Sequence, residues 1–102
     1  MELEILEKLR EIKDPEIPID IVNLGLIYGV QVKEKVAYID MTLTVPSCPA
    51  RGFFAQHIRE HILRNFPQLS DVVVNFVFEP VWSRDKISQE GLERLRSMGW
   101  NI

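Results

Sequence analysis

The 102-residue chain is expected to fold as an α+β domain: a two-layer sandwich in the order α-β-β-α-β-α, with helices on one face of a small mixed sheet. Three observations carry that expectation. Residues 36–45 alternate, with Ala37, Ile39, Met41, Leu43 and Val45 on one side and Tyr38, Asp40, Thr42 and Thr44 on the other. That is the pattern of a strand covered on one face. Residues 49–66 repeat Phe54, Ala55, Ile58, Ile62 and Phe66 at helical spacing. Residues 72–78, VVVNFVF, read as a further strand, and a strand–helix–strand order implies a right-handed parallel crossover.

The other elements follow in turn. Residues 2–12 are read as a helix with Leu3, Ile5, Leu6, Leu9 and Ile12 on one stripe. Asp14-Pro15 ends it, because the residue before a proline avoids the helical region. The stretch KDPEIPIDIVNLG has no regular period and is too apolar for a loose linker, so it is expected to lie extended against the domain surface. Residues 26–32 form a strand with Leu26, Tyr28, Val30 and Val32 on one face, and KEK joins it to the next strand as a hairpin without a glycine signal. Pro67 stops the central helix. A last helix over 88–98 packs Leu92 and Leu95 and stops at Gly99.

Length and composition fit one domain over residues 1–102, with 46% hydrophobic and 26% charged residues. A net charge of −3, with basic residues interleaved among acids, argues against a nucleic-acid partner. The acidic, periodic N-terminus does not read as a signal peptide, and no apolar run approaches a membrane span. With a single cysteine there is no internal disulfide to form, and a cytoplasmic location is expected.

That cysteine, Cys48, lies in TVPSCPARG at the expected start of the central helix. Pro49 suits the first helical position. Cys48 would then sit at or beside the N-cap, near free amide donors and the positive end of the helix dipole, with Arg51 adding charge. Each favours the thiolate, the form that attacks electrophiles and binds metals. A buried structural cysteine is the competing reading, and composition does not decide between them. His57 and His61 have the i, i+4 spacing of a helical metal pair. His57 is nine residues beyond Cys48, about 13 Å along a helix at ~1.5 Å per residue. Neither imidazole is therefore expected to serve that thiol, and both are read as boundary residues of the apolar stripe. Asp14, Glu16 and Asp20 are read first as turn-capping carboxylates. Thr42 and Thr44 are read as strand formers on the open face. Trp82 is either an exposed contact or a lid on the core.

DPEIPIDIVNLGLIY, MTLTVPSCP and EPVWSRDKISQEGLERL, in that order and spacing, resemble the small iron–sulfur maturation family of SufT and PaaD and the eukaryotic cytosolic iron–sulfur targeting proteins. The resemblance spans nearly the whole chain and implies a fold like that of iron–sulfur assembly domains. The family's motif cysteine matches Cys48. Its acidic element matches Asp14, Pro15 and Glu16, its D-x-x-x-L-G-L element matches Asp20, Leu24, Gly25 and Leu26, and its EPxW element matches Glu79, Pro80 and Trp82. With Thr44, Pro49 and Arg51 these are the candidate site residues. The chain has neither the further C-terminal cysteines of PaaD-type members nor the N-terminal extensions of eukaryotic relatives, so it reads as the minimal stand-alone form.

The resemblance implies help in assembling or transferring iron–sulfur clusters to client apoproteins, alongside other assembly proteins. A thiol enzyme is disfavoured because Cys48 has neither a resolving cysteine nor a histidine in reach, and no enzymatic activity is expected. A protein-bound cluster usually takes four ligands, commonly thiolates. One chain offers one, and a homodimer would offer two. Cys48 is therefore expected to be a transient iron ligand or contact thiol for a passing cluster. The alternative is a metal-free adaptor that grips clients.

Overall fold

The computed structural model describes residues 1–14, 16–44 and 51–101. The elements are α1 (Glu2–Leu9), β1 (Ile27–Lys33), β2 (Val36–Met41), α2 (Arg51–Asn65), β3 (Asp71–Phe76) and α3 (Gln89–Ser97), with a 3₁₀ turn at Arg84–Lys86 before α3. The expected order α-β-β-α-β-α is the observed one. The sheet runs β1-β2-β3, antiparallel between β1 and β2 and parallel between β2 and β3. Ala37, Ile39 and Met41 of β2 are fully buried on one face. They share a continuous core with Ile5 and Leu9 of α1 and Phe54, Ile58 and Ile62 of α2. Among the described residues, no helix is long and apolar enough to cross a membrane.

Several local expectations are corrected. Leu3 is 77% exposed, not part of the buried stripe. Residues two apart on a helix point to different sides, so Leu3 cannot share a face with Ile5. α1 ends at Leu9, ahead of Asp14-Pro15. The register slips between Ile27 and Gly29, a β-bulge that puts Ile27, Val30 and Val32 against the core and takes Tyr28 off their face. β2 stops at Met41, short of Val45. The 13–25 segment is only partly at the surface, with Lys13, Glu16 and Pro18 exposed. Lys13 and Asp20 pair as an isolated bridge, and Ile19, Ile21 and Leu24 enter the core.

The hairpin without glycine is real. Its two turn residues, Glu34 and Lys35, take φ values of 51° and 67°. This tight turn matches the right-handed twist of the strands but holds two ordinary side chains in left-handed backbone. That conformation costs a non-glycine residue roughly 1–2 kcal/mol. Glycine at the second position removes this strain and gives back part of it as unfolded-chain entropy. Lys35→Gly is therefore expected to stabilise the protein by ~0.5–1 kcal/mol, read as a melting temperature several degrees higher. A lower melting temperature would contradict the turn assignment.

Candidate functional site

The chain turns back sharply after Ile19, and that turn organises the site. Asp20 is almost wholly buried, and its Oδ2 accepts the backbone N–H groups of Val22 (3.2 Å) and Asn23 (3.0 Å). Its Oδ1 accepts from the Asn23 side-chain amide at 2.7 Å and lies 3.5 Å from the Arg94 guanidinium. The same amide donates to Glu90 Oε2 at 3.2 Å. Ser88 donates from its hydroxyl to Asn23 Oδ1 (2.6 Å) and from its backbone N–H to Asn23 O (2.7 Å). The Ser88 hydroxyl also accepts from Gly91 N at 3.0 Å, which makes it the N-cap of α3. One buried carboxylate and one buried amide thus join the 20–26 turn to the start of α3.

Glycine is required twice at this junction. Gly25 has φ +78°, and a Cβ there would run into the Lys86 backbone carbonyl. At Gly91 a Cβ would lie 2.9 Å from Ile87 Cγ2 and 3.2 Å from Asn23 O. Both contacts hold the 84–91 segment tightly on the turn.

The segment after β3 is fastened to β2, to β1 and to the same turn. Val77 N–H donates to Met41 O, the Tyr28 hydroxyl donates to Pro80 O at 2.7 Å, and the Trp82 indole N–H donates to Leu24 O at 2.7 Å. Trp82 is half-buried: it packs against the core and also borders a cleft, so each of its two readings holds in part. By strand alternation Thr42 belongs to the Asp40 face, yet it is fully buried, which corrects its reading as an open-face strand former. Its backbone N–H donates to Leu26 O, while its Oγ1 has no hydrogen-bond partner among the described residues.

These attachments leave a cleft of about 310 Å³ lined by Glu16, Ile17, Thr44, Trp82, Arg84 and Trp100, with Ile87 and Leu95 on its wall. Three of the candidate residues meet here from separate motifs: Glu16, Thr44 and Trp82. Two aromatic rings, an aliphatic wall and one charge of each sign make it apolar inside with a polar rim, the usual make-up of a binding cleft. Cys48, Pro49 and Pro15 lie outside the described residues. Thr44 and Arg51 bound the segment that carries Cys48, and the Arg51 guanidinium stands 5.8 Å from the centre of the Phe76 ring.

Residues 2–76 match the model of a family described as iron–sulfur cluster assembly protein. The chain belongs to that family. It is 37% identical over 95 residues to the Fe-S protein maturation auxiliary factor of Porphyromonas gingivalis, covering 92% of this chain and 90% of that one. It is 42% identical over 77 residues to the Fe-S protein maturation auxiliary factor SufT of Staphylococcus aureus, covering 74% and 86%. Its fold matches the crystal structure of a domain of unknown function, DUF59, from Bacillus anthracis, with a TM-score of 0.87, 34% identity and coverage of 93% and 91%. The family match ends at Phe76, so Trp82, Arg84 and Trp100 of the cleft lie beyond it.

Set on the structure, the family's motif residues divide. Asp14 is buried, and its Oδ2 accepts the N–H groups of Glu16 (2.8 Å) and Ile17 (2.9 Å). Asp14 and Asp20 are therefore turn-capping carboxylates, as read from the sequence. Leu24 and Leu26 are core residues, and Glu79 is exposed. Sequence reasoning missed Arg84, Trp100 and Asn23. Arg84 lies inside a motif stretch but reads as part of a solvated face, Trp100 gives no periodic or motif signal, and a polar residue inside an irregular segment does not announce its burial.

Burial raises the Asp14 carboxyl above its ordinary range, opposed by the two N–H groups that it accepts. A raised folded-state value means that the folded chain still holds the proton when the unfolded chain has lost it. This group's contribution to stability therefore falls as pH climbs from about 4 upward. Asp14→Asn removes the charge and keeps an acceptor oxygen. Its stability relative to the parent is expected to rise from about pH 4 and level off once Asp14 is ionised in the fold. Urea unfolding across that range checks this, and a pH-independent difference would contradict it.

Proposed function

We propose that this protein helps iron–sulfur clusters form in or reach client apoproteins, with Cys48 as a transient or shared ligand and the cleft bordered by Thr44 as a contact for the client. The observation that carries this reading is family membership, joined to relatives named as maturation auxiliary factors over most of both chains. Ligand number supports handling of a cluster over keeping one. The chain has a single cysteine, and among the described residues no three ligating groups converge on a metal position. Four ligands, commonly thiolates, are the usual requirement. A cluster here is cargo completed by outside ligands, from a donor, a client or a second copy.

The chain's own residues then have distinct tasks. Cys48 supplies the thiolate, and Arg51, three residues on, adds positive charge near it. Glu16, Arg84, Trp82 and Trp100 offer a client segment one charge of each sign and two flat apolar surfaces beside Thr44. Phe53 and Val81 are further exposed apolar side chains available for contact. In this reading the protein acts by ligand exchange and binding, with no bond of a client broken.

Iron and acid-labile sulfide are to be measured per chain after anaerobic reconstitution, for the parent and Cys48→Ser. The parent is expected to hold both, and the variant to lose them. Equal loading of the two would remove Cys48 as ligand. If neither holds iron while client binding persists in Cys48→Ser, the protein is a metal-free adaptor.

A further inference from the structure

The two edges of the sheet are not alike. The outer edge of β1 is guarded: Val32 N–H donates to Glu2 Oε2 of α1 at 3.0 Å, and the bulge at Tyr28 breaks the regular strand. β3 pairs with β2 alone among the described residues. Val77 N–H donates to Met41 O, and in a parallel ladder alternate residues turn to the neighbouring strand. Asp71, Val73 and Asn75 therefore face β2, while Val72, Val74 and Phe76 turn their backbone groups outward. Asp71 Oδ1 accepts the outward N–H of Val72 at 2.8 Å and also holds the Arg59 guanidinium at 2.8 Å. Beyond Val72 the strand carries none of the usual guards: no proline, no lysine and no bulge.

α2 packs above β3 and forms a wall beside this edge. Arg51, Ala55 and Arg59 stand four residues apart, so they make one row along the helix. The row begins where the Arg51 guanidinium lies 5.8 Å from the centre of the Phe76 ring, and it ends at the Arg59–Asp71 ion pair. It thus follows β3 from one end to the other. Arg59 has its acid in Asp71, whereas no carboxylate among the described residues pairs with Arg51.

We propose that the outer edge of β3 docks an extended segment of a partner protein as a fourth strand, with an acidic side chain beside Arg51 and a β-branched one against Ala55. The spacing fits, because four helical residues rise ~6 Å and two strand residues ~6.6 Å. Main-chain bonds to Val74 and Phe76 supply affinity, and the row on α2 selects the side chains. A second copy pairing edge to edge fits worse. It would set two α2 helices about one strand spacing apart, ~4.8 Å, where packed helices need roughly 8–10 Å. A bare strand brings no helix with it. Docking here requires neither Cys48 nor the cleft, so it stands or falls apart from the handling of a cluster.

The test uses the full chain with Cys48→Ser and the acetylated, amidated peptide TTETVTETT, which reads the same in both strand directions. Amide NMR titration should show saturable binding, with shifts at Val74, at Phe76 and along residues 51–59. The peptide TTKTVTKTT should bind roughly fivefold more weakly. Arg51 is exposed, so Arg51→Glu should keep the parent's melting temperature while reversing the preference between the two peptides. Val74→Pro removes one outward N–H and no bond to β2, so it should abolish binding while β2 keeps its native amide shifts. If that variant does not fold, the charge reversal decides alone. Absence of saturable binding, shifts along β1 instead, or an unchanged preference in Arg51→Glu would overturn the proposal. A dimer of the free chain with contacts mapping to β3 would overturn the choice of occupant.

Discussion

A carboxylate taken out of water must be given partners, and the buried Asp20 receives four donors from three residues. An unpaired charge at that depth would cost several kcal/mol, so the chain around it has little freedom to rearrange. Val22 and Asn23 must present their N–H groups, which closes the turn. Asn23 must aim its amide inward, and its own remaining groups then need Ser88 and Glu90. Ser88 in turn caps α3. Each polar group is satisfied by the next, so the 20–26 turn and the start of α3 form one unit though more than sixty residues separate them. Leu24 and Leu26 follow into the core, and Gly25 permits the close approach of Lys86.

The candidate site depends on that unit without containing it. Trp82 hangs on Leu24 O, Pro80 on the Tyr28 hydroxyl, and Trp100 follows α3. Rotating or loosening the turn would separate the walls of the cleft. Motif residues that look alike in the sequence therefore act at two levels. Asp14 and Asp20 spend their oxygens on backbone N–H groups and shape the chain. Glu16, Thr44 and Trp82 line the opening that a partner would meet. In a family of small assembly proteins this arrangement leaves the outer residues free for contact.

Much of this was legible in the sequence because regular elements carry a period. The alternation at Ala37, Ile39 and Met41 and the helical spacing of Phe54, Ile58 and Ile62 define two layers without further help. Gly99 reads as the stop of the last helix, and the chain takes a positive φ of 94° there. Legibility failed where tertiary contacts override the period. One bulge removed Tyr28 from the face of Val30, and the return of the chain after β3 accompanied the burial of Thr42. The 13–25 stretch has no period because its order comes from side-chain caps and a single bridge. The cleft was legible in part: its motif residues stood out, but their meeting depends on loops whose paths no local pattern encodes.

Hydrogen exchange on Asn23→Ala tests most directly whether the turn and α3 are one unit. The substitution takes the amide away from Asp20, Glu90 and Ser88 together. Amides of 21–26 and of α3, and the Trp82 indole N–H, should lose protection together, while β2 and α2 keep theirs. Faster exchange confined to residues 22 and 23, with α3 and Trp82 unchanged, would show that the two segments are held independently and would contradict the account.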